Sequence, residues 1–254
     1  MLNRLETYDD AVPRSAARAE ELGPLTLFVR EGDGWPYYAR PALGYAGEVS
    51  VDEVDRVRAR QRELGVPEAF EWVAETTPGL RAAVEKSGLV VHEHPLMVLE
   101  GEGEGEGEGK AVAVPEGVTV RIVGADDPAL ESAAAAPYAA FGATPSATAA
   151  ADLAARIEAG LTRLAAALDA SGTALCAGQH QPVGAVSEVV GVGTLPAARR
   201  RGLGLAVTAA LVADARAQGV ETVFLTATDE TVARLYGRLG FRTIGTALIA
   251  EPAA

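Results

Sequence analysis

Cysteine is nearly missing from this sequence: Cys176 stands alone in 254 residues, which excludes an internal disulfide. The three histidines, His92, His94 and His180, do not complete a Cys/His zinc set with it, so no metal site is expected. Lysine is as scarce, with Lys86 and Lys110 only, and the net charge of -13 leaves little to neutralise a phosphate backbone; nucleic acid is not an expected partner. No apolar run reaches the ~18 residues of a membrane span, and no basic-then-apolar pattern opens the chain, so a cytoplasmic protein without a membrane partner is expected. What is present is 48% apolar against 22% charged residues, the balance of a chain that buries a core in one large domain or two small ones. Almost all the positive charge is arginine, which suits anion recognition.

One stretch, "GEGEGEGEGK" (101–110), alternates a flexible residue with a like charge and has nothing to bury. It is read as the centre of a linker, 101–116, between domains at 1–100 and 117–254. The two sides echo one another. Residues 58–100 and 213–251 each read as a helix ending at Gly, a short strand around Phe70 or Phe224, a helix ending at Gly88 or Gly240, and a closing strand. Gly65 precedes Phe70 by the same interval as Gly219 precedes Phe224, so a duplication is expected, with chance similarity between two such units as the alternative.

Within the second half, 118–123 reads as a strand, 126–142 as a helix broken near Pro137, and 146–170 as one helix capped by Ser146. "GTALCAG" (172–178) and "VGAVSEVVGVGTL" (183–195) read as two strands around a turn at His180–Pro182. His180 is then a turn residue rather than a base, and Cys176 a buried small hydrophobe. The mixed alternation predicts an α/β (α+β) sheet domain.

Between the second of these strands and the next helix lies "LPAARRRGLGLAV" (195–207). A strand delivers the chain to Pro196, Arg199, Arg200 and Arg201 turn it, and Gly202 and Gly204 open a helix. Amides at a helix N-terminus have no intrahelical acceptors, and with the helix dipole they favour an anion. Glycines there let a phosphate approach. The pattern lacks the Gly-Lys-Ser/Thr of a P-loop and the GxGxxG of a dinucleotide fold. The first half has no counterpart of "RRRGLG".

Arg199 to Gly204 fits the Arg/Gln-x-x-Gly-x-Gly/Ala signature, and with "ARLYGRLGF" (233–241) downstream the sequence from 118 to 251 resembles the GNAT superfamily of acetyl-coenzyme A dependent N-acetyltransferases. The first half resembles a shortened, degenerate copy in which Val84 falls where Tyr236 would. The resemblance implies a mixed, mostly antiparallel sheet flanked by helices, and acetyl-CoA as co-substrate. It implies that the strand ending at Gly191–Thr194 pairs with the pantetheine arm, leaving the acetyl carbonyl near the amides of Val192 or Gly193. Thr194 completes that contact. The amides of Arg200, Arg201, Gly202, Leu203, Gly204 and Leu205 would hold the pyrophosphate, with the side chains of Arg199, Arg200 and Arg201 adding charge-assisted bonds. Asp229 stands where many members carry Asn against the cofactor; a carboxylate accepts but cannot donate, which puts that contact in doubt.

Tyr236 matches the hydroxyl that protonates the departing thiolate, although Val232, Leu235, Tyr236 and Leu239 also recur at the spacing of a packed helix face. An ammonium acceptor with a pKa near ~10.4 must lose a proton before it attacks at pH 7. Glu188 is the candidate base, since its offset from Arg199 matches the catalytic Glu of the histone-acetylating branch. A Glu on a strand can also simply face solvent. The implied reaction is direct attack by a primary amine, of a small molecule or an exposed group, on acetyl-CoA in a ternary complex, with the acceptor cleft shaped by roughly Pro137 to Leu153. A non-catalytic acetyl-CoA sensor and a structural protein in which the loop is only a helix cap are the other readings. Oligomeric state is not readable.

Overall fold

The computed structural model describes residues 1–32, 34–100 and 112–253; the Gly/Glu stretch of the expected linker, 101–110, lies outside the described residues. Along the chain run α1 (Leu2–Ala11), β1 (Ala17–Leu22), β2 (Leu25–Arg30), β3 (Ala39–Pro41), α2 (Val51–Leu64), β4 (Phe70–Val73), α3 (Leu80–Lys86) and β5 (Val90–Leu99). Then follow β6 (Thr119–Val123), α4 (Leu130–Ala140), α5 (Ala149–Glu158), β7 (Arg163–Leu168), β8 (Ala174–Val183) and β9 (Val186–Thr194). The chain closes with α6 (Leu203–Ala217), β10 (Thr222–Thr226), α7 (Glu230–Gly237) and β11 (Phe241–Glu251). These elements form two compact units: Met1–Leu96 with Thr226–Glu230 and Thr243–Ala254, and Met97–Leu225 with Thr231–Arg242. The end of the chain thus groups with its beginning. Among the described residues no helix is long and apolar enough to cross a membrane.

In the first unit the strands follow the order β1-β2-β3-β4-β11-β5, with β3 and β4 parallel through Ala39 and Phe70. Leu25, Leu27, Phe70 and Trp72 of the sheet pack with Val54, Val57, Leu80 and Val84 of α2 and α3. α2 starts in a closed capping box, in which the Glu53 amide donates to Ser50 Oγ and the Ser50 amide to the Glu53 carboxylate, and it stops at Gly65 in the left-handed region.

On β3, Ala39 packs into this core and the next residue, Arg40, therefore faces the opposite side of the sheet. Arg40 is buried and paired with Glu6 of α1, and Asp9 and Glu71 lie close enough to feel its charge. Burial drives the Asp9 carboxyl up to about 7, against the pull of Arg40, and the Glu71 carboxyl up to about 8. Raised carboxyl values mean that from the ordinary carboxylate range of ~4 up to the folded values the native state holds protons the unfolded chain has released, so stability falls across this window and levels off above about 7 and 8. We expect the first unit to lose about 1.4 kcal/mol per pH unit for each such proton across this window. Glu71→Gln should flatten the profile by one proton in urea titrations at pH 5 to 7. An unchanged slope would show that Glu71 ionises freely.

In the second unit the order is β10-β9-β8-β7-β6, antiparallel except for the parallel pair β9/β10. Its core is made of small residues: Ala133, Ala134, Ala136, Ala166, Ala174 and Ala177 pack with Leu130, Leu153, Leu164 and Leu168. Short side chains let α4 lie close on the sheet. A Cβ on Gly193 would come within 2.6 Å of Pro137 Cα.

Four local readings are corrected. The helix expected over 146–170 ends at Glu158, because Gly160 at φ +70 reverses the chain and Arg163–Leu168 enters the sheet as β7. An Ala/Leu run buried on both faces carries no alternation, so composition favours helix while the sheet requires strand. The cap of α5 is Thr148, whose hydroxyl bonds Asp152, and not Ser146. His180–Pro182 is no turn: β8 continues to Val183 and the hairpin turns at Gly184 (φ +56) and Ala185, with Val183 opposite Val186. The helix expected to break near Pro137 runs through it to Ala140. The backbone bond that proline forgoes is offset by its packing against Gly193.

Candidate active site

β9 pairs with β10 only from Val186/Thr222 to Glu188/Phe224, then continues to Thr194 beside β8 with a register shift in the pairing and Gly191 at φ +61. The two parallel strands therefore share three residue pairs and part beyond Glu188. Past Thr194 a 3-10 turn at Pro196–Ala198 leads into the arginines. Arg200 takes φ +62, a left-handed conformation costly for a side chain, and Gly202 follows at φ +79 as the N-cap of α6. No side chain caps α6. The contrast with α2 is chemical: there Glu53 already places a carboxylate on the helix N-terminus, whereas α6 presents its first amides from a glycine. The parallel register also aligns the units, since Phe224 sits opposite Glu188 where Phe70 sits opposite Ala39. The second unit has a carboxylate at this pairing where the first has a methyl group.

Along β9 the side chains alternate. Ser187 turns toward α6, where His180 links it to Asp214, so Glu188, half-buried, faces the side of the sheet covered by α4. Tyr236 lies on the α6 side. Its phenol hydrogen-bonds with Thr208 and is near Cys176, and its ring meets Phe241 edge-on at 6.1 Å between centroids. Burial raises its pKa, partly offset by Thr208, so the phenol stays protonated at neutral pH. Cys176 in turn accepts from the Thr194 hydroxyl at 3.2 Å, which places Tyr236 at the end of β9 beside Thr194. Burial pushes the Cys176 thiol up to about 11, and it is inert as a nucleophile.

The structure thus collects Glu188, Val192–Thr194, Arg199–Leu205 and Tyr236 in the second unit. Asp229 groups with the first unit, on an exposed segment whose neighbour Thr228 offers its carbonyl to His94 Nδ1 at 2.9 Å. Arg199 is occupied: its Nη2 donates to Ala140 O at 2.8 Å and its Nε to Thr194 O at 3.4 Å.

One group escaped the sequence. His180 is fully buried between Ser187 Oγ on Nδ1 (2.8 Å) and Asp214 Oδ2 on Nε2 (2.9 Å), and Arg163 donates twice to the same carboxylate at 3.0 Å. Burial lowers the His180 pKa, so the ring is neutral, donates Nε2–H to Asp214 and accepts from Ser187. Burial works against the Asp214 charge, but the bonds from Arg163 and His180 outweigh it and hold its carboxyl below the usual range. Positions 163, 180, 187 and 214 share no local pattern; the order of β7, β8 and β9 and the packing of α6 on them bring the four together. Because the folded value is depressed, this contribution to stability is present above the ordinary histidine range and lost as pH falls through it. His180→Phe removes one hydrogen bond from Ser187 and one from Asp214, which keeps Arg163 and Gln218, and should cost about 1–3 kcal/mol in chemical denaturation. A loss below half a kcal/mol would mean that the network carries no net stability.

Comparison with known proteins places this geometry. Residues 168–249 match the family model described as FR47-like protein. No curated protein matches the sequence. Among solved structures, a GCN5-related N-acetyltransferase from Kribbella flavida is similar over 100% of this chain and 96% of its own, at 24% identity and a TM-score of 0.74. Another, from Sphaerobacter thermophilus, is 19% identical, with 92% and 84% covered and a TM-score of 0.64. A tandem GNAT protein from the clavulanic acid biosynthesis pathway is 15% identical, with 91% and 79% covered and a TM-score of 0.60. With its parting parallel strands, its glycine-opened helix and its mostly antiparallel sheet, the chain has the fold of the GCN5-related N-acetyltransferases.

Proposed function

We propose that the second unit transfers the acetyl group of acetyl-CoA to a primary amine by direct attack. The observation that carries this reading is that β9, once it parts from β10, carries Glu188 on its α4 side and ends at Thr194 with Tyr236 on its α6 side. An amine that gives its proton to Glu188 adds to the thioester carbonyl to form a tetrahedral intermediate, and as this collapses the C–S bond breaks and the sulfur takes a proton from Tyr236. The main chain of 189–194 would pair with pantetheine. The amides of residues 200–205 would hold the pyrophosphate, with the Arg200 and Arg201 side chains adding charge. Glu188 would take the amine proton, directly or through water, the amide of Val192 or Gly193 would bind the carbonyl oxygen, and Tyr236 would protonate the sulfur. Asp229, which groups with the first unit, has no part in this reading.

Two measurements test this. Calorimetry with acetyl-CoA reports the cradle, and thiol release from acetyl-CoA across a panel of primary amines reports transfer. Binding with amine-dependent thiol release supports the enzyme, binding with none supports a sensor, and absence of binding removes both.

A further inference from the structure

Helix α4 reaches the sheet through its last turn. Pro137 has no N–H, so the helix forgoes one internal bond just before its end, and Pro137 Cα and Ala140 Cβ stand within 3 Å of where a Cβ on Gly193 would be. Only a glycine at 193 lets this turn rest on β9. The turn closes with the amides of Phe141, Gly142 and Ala143 bonded back to Pro137, Ala139 and Tyr138. The Ala140 carbonyl is one of the terminal acceptors that the helix cannot satisfy itself, and Arg199 Nη2 donates to it at 2.8 Å. The same guanidinium reaches Thr194 O, the last carbonyl of β9, through Nε at 3.4 Å. A cation over a helix C-terminus is also favoured by the helix dipole. Of the three consecutive arginines, the first is thus turned back toward α4, away from the amides that open α6.

We propose that Arg199 is a positioning residue for the acceptor side of the site and not a ligand of the cofactor: through Ala140 O and Thr194 O it fastens the last turn of α4 to the end of β9. Assigning α4 to the acceptor side rests on the function proposed above. The fastening itself rests on the two hydrogen bonds and the Gly193 contact. The chemistry required at 199 is then a planar N–H donor of sufficient reach rather than a positive charge. This separates Arg199 from Arg200 and Arg201, whose role is to meet an anion.

Hydrogen exchange of the 141–143 amides, together with calorimetry of acetyl-CoA binding, decides between the two roles. In Arg199→Met the 141–143 amides should exchange at least tenfold faster, with β7 and β8 protected as before, while the acetyl-CoA Kd changes less than threefold. Arg199→Gln keeps an N–H donor without charge and should restore most of the protection. Arg200→Ala and Arg201→Ala should weaken acetyl-CoA and leave 141–143 unchanged. Unaltered exchange in Arg199→Met overturns the latch, and so does a tenfold or greater loss of acetyl-CoA affinity in both Arg199 variants. If the unmutated protein does not bind acetyl-CoA, the proposed function falls while the exchange measurement still decides the latch.

Discussion

Gly204→Glu should abolish acetyl-CoA binding without unfolding the protein. Gly204 is the second residue of α6, takes no positive φ, and a Cβ there would lie 3.7 Å from Thr194 Oγ1 and 3.8 Å from Val192 Cγ1, ordinary contacts. An added Cβ therefore meets no clash, and a carboxylate in the first turn of a helix suits its dipole. Against a pyrophosphate the same carboxylate is repelled: two like charges ~4 Å apart at an effective dielectric near 20 cost about 4 kcal/mol, some three orders of magnitude in Kd. With screening, a loss of at least about 100-fold is expected in calorimetry. Gly202→Glu is a poorer test, because the φ of +79 at that position strains any side chain and confounds repulsion with misfolding. A Gly204→Glu protein that melts normally and still binds acetyl-CoA would place the cofactor elsewhere. The first unit serves as an internal contrast, since Glu53 already occupies the start of α2 in its capping box.

Glu188→Gln and Tyr236→Phe should each lower kcat by about 10²- to 10³-fold, the usual range for losing one positioned acid or base, and should differ in their response to pH. Without Glu188 the enzyme depends on amine that is already deprotonated. Its deficit should shrink as pH rises toward the amine pKa of ~10.4. Losing the Tyr236 hydroxyl removes the proton for the sulfur, which alkaline solution does not supply, so that deficit persists. Burial holds the phenol protonated and Thr208 orients it, which makes Tyr236 a donor rather than a base at neutral pH. Acetyl-CoA affinity should stay within a few-fold in both variants. Alkaline rescue of both to the same extent would show that the two residues do not divide acid and base between them.

How much of this was legible without coordinates depends on the range of each signal. The order strand, arginine loop, glycine, helix could be read from residues 186–217 because each piece is local: positive φ at Gly202, unsatisfied amides at a helix start, apolar spacing along α6. The similar order of elements in 58–100 and 213–251 was legible for the same reason, and in each a phenylalanine pairs with a parallel strand, Phe70 with Ala39 and Phe224 with Glu188. The strand β7 was not legible, since a buried Ala/Leu run satisfies helix and strand equally and only its neighbours β6 and β8 decide. His180 was misread as a turn because its partners, Asp214 and Arg163, lie far from it in the chain. Arg199 shows the same limit: a cluster of three arginines announces an affinity for anions, and only the packing of α4 on Gly193 turned the first of them toward a carbonyl. By itself the sequence determined the glycine-opened start of α6 and the residue types available there, which depend on interactions within a few residues. Tertiary structure alone decided which face each side chain meets, because that depends on strand order and on helices packed from distant segments.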